Sequence, residues 1–476
     1  MIKFGTDGWR AVIAEDFTFA NLRRVAWAIG RYLVEQDGGK KDRSLVIGYD
    51  GRFLSPEFAQ AAGEVLAAQG IPVLIVSAPT PTPVTAFAIC HYRAQGAIMI
   101  TASHNPPRYN GIKFIPGYAG PAMPQETQAI EAYLAQAGDQ AVSVMPRAEA
   151  EKAGLWREID PRSDYLKHLS GLVKVETWGQ RPLRVVVDPL YGAGSSYLGA
   201  ILEQAGCEVT GIHMQRDPLF GEILPDPSLP TSLDELAQWV REEDADLGLA
   251  VDGDGDRFGV IDRGGRFFSP NEIHYLLAYY LVSSRGWQGR ALARTVATTH
   301  MLDRVAQHFQ GEILETPVGF KYIGQALREQ GAVYGGEESG GMSMAGHVPE
   351  KDGILATSLV AEAVAATGMS LEEQRQAISR ELGRLVSWRW DVEVSPNDKR
   401  EILQALSHYH PQQLAGLTVA ERKDLDGTKL ILADGSWVLV RPSGTEPVFR
   451  VYVEAENEGQ RDAIYRAIIS DLNLAR

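Results

Sequence analysis

Cysteine is nearly missing from this chain: Cys90 and Cys207 are the only two among 476 residues. Two thiols build neither a disulfide framework nor a thiolate metal site, so the composition fits a reducing, cytoplasmic setting. Each cysteine reads as a core residue rather than a nucleophile. Positive charge is also scarce. Lys and Arg number 46 against 61 Asp and Glu, for a formal charge of −15. That balance leaves no basic face for nucleic acid or an anionic membrane, but it permits a small anionic ligand held by local cations and backbone amides. No apolar stretch approaches the ~18 residues that span a bilayer, and Met1–Gly8 lacks the apolar core of a signal segment. The phosphate-loop pattern G-x-x-x-x-G-K-[ST] does not occur, which removes the ordinary NTPase reading. Gly192-Ala193-Gly194 has Tyr197 where a dinucleotide fingerprint needs its third glycine.

Hydrophobic residues at 45% and charged residues at 22% describe a globular chain, long enough for roughly three domains of ~150 residues or more numerous smaller ones. One pattern occurs three times: an apolar run, a polar turn, an amphipathic helix, a glycine and a second apolar run. It is found at 45–76 around Asp50-Gly51-Arg52, at 183–210 around residues 188–194, and at 291–315 around Thr298-Thr299-His300. Each is a βαβ unit, which predicts three related α/β domains with mixed, mostly parallel sheets. From about Trp388 the pattern changes to strands joined by a hairpin at Asp434-Gly435, with helices at 397–407 and 460–474. That is an α+β domain. Polar or proline-marked stretches at 141–158, 262–269 and 383–388 read as linkers. They divide the chain into units 1–155, 156–263, 264–384 and 385–476.

Four loops carry chemistry. Thr101-Ala102-Ser103-His104-Asn105-Pro106-Pro107 follows the apolar run Ala97–Ile100, so a buried strand delivers a serine into a loop stiffened by two prolines. Thr101 and Asn105 stand where a G-x-S-x-G nucleophile elbow needs glycines, which argues against acyl transfer. Asp252-Gly253-Asp254-Gly255-Asp256-Arg257 follows Leu247–Val251. Its like charges repel by about 4 kcal/mol per pair at ~4 Å and an effective dielectric of ~20, and three monodentate carboxylates suit Mg2+. An EF-hand fails because Arg257 and Arg263 replace its glycine and its glutamate. Gly335-Gly336-Glu337-Glu338-Ser339-Gly340-Gly341 fits two readings: a loop that reads sugar hydroxyls beside closely approaching backbone, or a plain surface turn. Arg441-Pro442-Ser443-Gly444-Thr445-Glu446-Pro447, with Arg450 beyond, combines amides, hydroxyls and arginines as a phosphate nest does.

A presented serine, a metal-binding triplet, a hydroxyl reader and a phosphate nest together point to phosphoryl transfer on a sugar phosphate. In these four loops, and in Phe4-Gly5-Thr6-Asp7-Gly8-Trp9-Arg10, the chain resembles the α-D-phosphohexomutases, the phosphoglucomutase/phosphomannomutase family, along essentially its whole length. The resemblance implies four domains around a central cleft and a phosphoryl group carried on Ser103. It implies Mg2+ on Asp252, Asp254 and Asp256 together with the Ser103 phosphate, and Arg257 stabilising the group in transit. Thr6, Arg10, Glu337, Ser339, Arg441, Ser443, Gly444, Thr445 and Arg450 would bind substrate. Lys113 and Lys351, supported by His104, are the expected acid/base groups; binding phosphate or forming salt bridges is the alternative for each lysine. Glucose 1,6-bisphosphate is the expected activator, the fourth domain a mobile lid, and the assembly a monomer or homodimer.

Relatives acting on mannose or glucosamine phosphates usually end the sugar loop in Ser-Gly-His, whereas this chain has Ser339-Gly340-Gly341. The Gly336-Glu337-Glu338-Ser339 form of the loop and Thr316-Pro317-Val318-Gly319-Phe320-Lys321 look more like phosphoglucomutases. Interconversion of glucose 1-phosphate and glucose 6-phosphate, with mannose second, is therefore expected. Phosphoglucosamine mutase and a non-catalytic sugar-phosphate sensor are the alternatives.

Overall fold

The computed structural model describes the chain apart from residues 1, 6–7, 37–43, 139–141, 176–177, 179–181, 444–446 and 475–476. The three βαβ segments form as expected: Leu45–Tyr49 and Val73–Val76, Arg184–Asp188 and Glu208–Gly211, and Leu292–Thr295 and Ile313–Thr316 each pair in parallel. Between the strands run Ser55–Ala68, Leu198–Gln204 and Met301–His308. Leu45–Tyr49 is buried along its whole length, the pattern of a strand covered by helices on both faces.

Each unit then adds antiparallel strands on one side of its parallel strands. In the first, Gly96–Ile100 pairs with Tyr109–Pro116, which pairs with Trp9–Val12. In the second, Leu247–Val251 pairs with Phe258–Asp262. In the third, Tyr334–Glu337 pairs with Gly341–Met344. The fourth unit is a six-stranded antiparallel sheet that includes Trp437–Pro442 and Val448–Ala455. All four chemical loops therefore occupy the same topological place. Each joins the two strands of an antiparallel pair.

The expected linkers at 141–158 and 262–269 are largely structural. Trp156–Ile159 is the outer strand of the first sheet, parallel to Val73–Val76. Arg266–Phe268 is the outer strand of the second, antiparallel to Phe258–Asp262. Cuts at 155/156 and 263/264 thus fall just ahead of strands that complete the preceding sheets. The second and third units share one core, in which Leu249 and Phe258 meet Leu276, Ile354 and Leu359. The first and fourth have cores of their own. Cys90 is exposed and Cys207 half-buried, so neither is the core residue expected from composition. Among the described residues no single helix is long and apolar enough to cross a membrane.

The third and fourth units meet through buried charge. Lys429 donates to the Val296 carbonyl at 2.7 Å, lies 2.8 Å from His300 Nε2 and 3.3 Å from Glu315 Oε1, and sits over the Trp437 ring. Burial pushes its amine down to about 7, with Arg294 adding to the shift. His300, a helix-start residue, is thus an interface residue.

Candidate active site

Ser103 stands at φ +51°, a left-handed conformation uncommon for any residue but glycine. Its amide donates to Thr101 Oγ1 at 2.8 Å, and its hydroxyl donates to Asp252 Oδ2 at 2.7 Å and lies 3.2 Å from His104 Nδ1. The prolines account for only part of the loop's rigidity. Arg52, fully buried, donates to the carbonyls of Ser103, Asn105, Pro106 and Tyr109 at 2.5–3.1 Å. Arg10 donates to Asn105 Oδ1 at 2.8 Å.

The aspartate triad is fully buried, and one carboxylate oxygen from each residue lies within 4.8 Å of the others. Asp252 Oδ1 accepts the amides of Asp256 and Arg257 at 2.9 and 3.0 Å. Lys113, on the strand after the serine loop, reaches Asp254 at 2.9 Å and Asp256 at 3.0 Å. Lys351 reaches Asp256 at 3.1 Å and Thr82 donates to Asp254 at 2.6 Å. Asp254 Oδ1 and Asp256 Oδ1 are buried with no hydrogen-bond partner. Two orphaned carboxylate oxygens beside a third carboxylate are a donor set that fits a hard divalent cation such as Mg2+.

Burial, reinforced by its two neighbours' charges, drives Asp252 well above the ordinary carboxylate range. Burial acts the same way on Asp254, but Lys113, Thr82 and Lys351 together outweigh it and hold that group low. Burial, with Arg257, Arg10, Lys351 and Arg52 around it, keeps the His104 imidazole far below its usual value and so neutral. The glycines divide their work. Gly255 has φ +71° and turns the chain, whereas a Cβ on Gly253 would stand 2.8 Å from the Ser103 carbonyl oxygen. One curls the metal loop and the other lets the serine loop touch it.

The segment 335–341 forms a hairpin whose first strand is buried, so the plain surface turn is set aside. Its first two glycines are packing residues rather than points of ligand approach: a Cβ would strike Ile323 from Gly335 and the His274 ring from Gly336. His274 holds the strand, lying 2.8 Å from both the Tyr334 hydroxyl and the Glu337 carbonyl oxygen. Glu337 Oε1 accepts from Ser339 at 2.9 Å while Oε2 is buried without a partner. Burial pushes this carboxyl up to about 7. The loop abuts the metal loop, since the Phe258 amide donates to the Gly340 carbonyl at 3.1 Å and Gly341 leaves room for the Lys351 chain.

In the fourth unit Arg441 and Arg450 are directly opposed across two strands. Like charges so placed destabilise a sheet unless an anion or carboxylate joins them. Asp426 is one such partner: it accepts from Arg441 Nε at 2.9 Å and from the Val318 amide of the third unit at 3.0 Å. The Ser443 amide donates to the Val448 carbonyl at 2.9 Å. The C-terminal sheet packs on the third unit, where Leu439 and Tyr452 meet Val296 and Ala297; burial and then the Glu338 charge push the Tyr452 hydroxyl up. Thr6, Gly444 and Thr445 lie outside the described residues.

Four family descriptions match in chain order. Phosphoglucomutase/phosphomannomutase alpha/beta/alpha domain I covers residues 1–141, domain II 163–265, domain III 269–381 and the C-terminal domain 397–471. The chain belongs to the phosphoglucomutase/phosphomannomutase family. Its members are isomerases that move a phosphoryl group within a hexose phosphate. The chain is 32% identical over 455 residues to a phosphoglucomutase/phosphomannomutase of Thermococcus kodakarensis, spanning 96% of this chain and 95% of that one. It is equally identical over 464 residues to a protein named as a phosphoglucosamine mutase in Pyrococcus abyssi, spanning 97% and 95%. A Thermus thermophilus structure named as a phosphomannomutase superposes with a TM-score of 0.85 at 34% identity, covering 99% of both chains.

In this family member the structure brings Ser103, His104, Lys113, Asp252, Asp254, Asp256 and Lys351 into one buried cluster, with Arg10 on the serine loop. Arg257 projects toward Asp226 at 3.6 Å. Arg52, Thr82, His274 and Asp426 escaped the reading of the sequence. Only Arg52 left a trace, as an arginine in a turn inside an otherwise apolar βαβ unit.

Proposed function

We propose that this phosphohexomutase interconverts glucose 1-phosphate and glucose 6-phosphate, acts secondarily on mannose phosphates, and uses Ser103 as the phosphoryl carrier. The observation that carries the reading is the Ser103 hydroxyl bonded to Asp252 within a triad that keeps two unpartnered oxygens. Mg2+, when bound by Asp252, Asp254 and Asp256, would neutralise the carboxylates and charge on the transferring group. Positioning and charge stabilisation supply most of the catalysis in such a transfer.

Phosphoserine 103 gives its phosphoryl group to the free hydroxyl of the sugar. The Oγ–P bond breaks, the sugar O–P bond forms, and the hydroxyl proton passes to a neighbouring base, Lys113 or Lys351 acting as the neutral amine once the cation has taken over charge balance at the triad. The hexose 1,6-bisphosphate then reverses in the cleft and returns its other phosphate to Ser103, while the sugar oxygen it leaves regains a proton. Glu337 and Ser339 hold sugar hydroxyls through the open Oε2 and the Ser339 Oγ. Arg441, Ser443, Gly444, Thr445 and Arg450 hold the phosphate that stays, Thr6 and Arg10 also bind substrate, and Arg257 stabilises the group in transit.

Preference for glucose is supported by Gly341, where a Cβ would stand 2.6 Å from Lys351 Cδ. A histidine there would displace the lysine and reshape the sugar pocket. Relatives of equal identity named as phosphoglucosamine mutases favour the amino sugar as a second reading. Purified protein with Mg2+ and catalytic glucose 1,6-bisphosphate should convert glucose 1-phosphate to glucose 6-phosphate faster than it turns over mannose or glucosamine 1-phosphate. A faster amino sugar would reverse the assignment. Ser103→Ala should fold and turn nothing over; retained activity would point to another carrier.

A further inference from the structure

We propose that Arg52 is a positioning residue that sets where the Ser103 hydroxyl stands relative to the aspartate triad, and thereby the rate of phosphoryl transfer to and from it. This rests on the reading of Ser103 as carrier. Its two terminal nitrogens carry four N–H donors, and four loop carbonyls take them: Ser103 at 2.5 Å, Asn105 at 2.6 Å, Pro106 at 3.0 Å and Tyr109 at 3.1 Å. The remaining nitrogen, Nε, lies 3.2 Å from Asp50 Oδ2, a carboxylate that accepts from Thr101 and Ser55. Four N–H donors on two planar terminal nitrogens suit four carbonyls, where an ammonium with three does not; Nε makes no hydrogen bond and faces Asp50 through charge alone.

The guanidinium is clamped from the other side by the unit that carries the metal loop. The Phe220 ring lies 4.8 Å from it, and a Cβ on Gly253 would stand about 3.2 Å from that ring and 2.8 Å from the Ser103 carbonyl oxygen. Arg216, exposed on the same unit, donates to the Gly51 and Arg52 carbonyls at 2.7 and 3.1 Å. Phe220, Arg52, the Ser103 carbonyl and Gly253 thus form one stack that fixes the gap between carrier and triad. Arg52 touches none of the reacting atoms. It holds the left-handed turn that aims Oγ at Asp252 by tying down four carbonyls of the loop, one of which, that of Pro106, also accepts the Tyr109 amide.

The step to measure is loading of the free serine. Glucose 1,6-bisphosphate gives one phosphoryl group to Ser103, the Ser103 Oγ–P bond forming as a sugar O–P bond breaks, and the serine proton goes to the sugar oxygen released. Arg52→Lys should leave KM for glucose 1-phosphate within about twofold while kcat and the single-turnover loading rate each fall about 100-fold, as for a misplacement near 1 Å. Arg216→Ala, an exposed change that leaves the buried arginine in place, should slow loading about tenfold at unchanged KM. Loading of both variants at the wild-type rate overturns the proposal. So does a loss in which KM rises and thermal stability falls in step with kcat, because Arg52 then only holds the fold. If Arg52→Lys does not fold, Arg216→Ala decides alone. A wild-type protein that never takes a phosphoryl group on Ser103 takes down the carrier reading, and Arg52's role with it. Normal wild-type loading beside equally fast variants sinks Arg52 alone.

Discussion

Replacing Lys113 with methionine keeps the length of the side chain and deletes its charge at the centre of the cluster. The ammonium is nearly buried, 2.9 Å from Asp254 and 3.0 Å from Asp256. At an effective dielectric of ~20 each contact contributes about 5–6 kcal/mol of attraction. Burial of the ions takes much of that back. Truncating one member of a buried pair nonetheless costs about 3–5 kcal/mol, because the partner is left charged and dry. Metal-free Lys113→Met should therefore lose about that much in urea unfolding with EDTA, followed by tryptophan fluorescence. Mg2+ at about 100 times its Kd stabilises a protein by about 2.7 kcal/mol. The gain should be larger in the variant, where the cation takes over neutralisation that Lys113 performed. A loss below about 1 kcal/mol in EDTA, the scale of a surface pair, would refute the reasoning. So would a Mg2+ gain no larger than in the wild type.

Glu337, pushed up to about 7 by burial from an ordinary 4.5, keeps its proton in the folded state over a range where the unfolded chain has lost it. Its contribution to stability is fully present below about 4.5 and lost as pH rises through about 7, so the wild type should lose about 3 kcal/mol across that window relative to Glu337→Gln. Parallel stability curves from metal-free urea titrations would rule this out. Gly336→Ala places a Cβ 2.4 Å from the His274 ring; it should cost about 1–3 kcal/mol and raise KM, and an unchanged melt and KM would contradict the packing role. Asp426→Ala frees Arg441 and unties the fourth unit from the Val318 amide, so KM for glucose 1-phosphate should rise about tenfold with kcat nearly kept. A KM within twofold of wild type would count against it.

The three βαβ units were legible because their evidence is local: an apolar run of strand length, a turn, a helix and a glycine within about 30 residues. The hairpin at Asp434-Gly435 was legible for the same reason. Trp9–Val12 and Trp156–Ile159 were not, because each becomes a strand only by pairing with a segment far away in the chain. Trp156–Ile159 falls mostly within the stretch 141–158 that reads as linker, and the short Trp9–Val12 carries no strand signal of its own. The site divided along the same line. Ser103, the aspartates and Glu337 sit in loops whose composition reveals their chemistry. Arg52 and Thr82 are set apart only by what folds against them, the serine loop in one case and Asp254 in the other. Gly335 and Gly336 showed the converse, since glycines that resemble a ligand cradle turned out to make room for Ile323 and His274.

The backbone of Ser103 also restricts which amino acid can occupy the position. Threonine offers the same hydroxyl and, in water, accepts a phosphoryl group as serine does. At φ +51° its second branch on Cβ crowds the main chain, and β-branched residues are outliers there. The turn that aims the hydroxyl at Asp252 therefore discriminates by shape before any chemistry occurs. A Ser103→Thr exchange, conservative by every measure of composition, is at this position a backbone mutation.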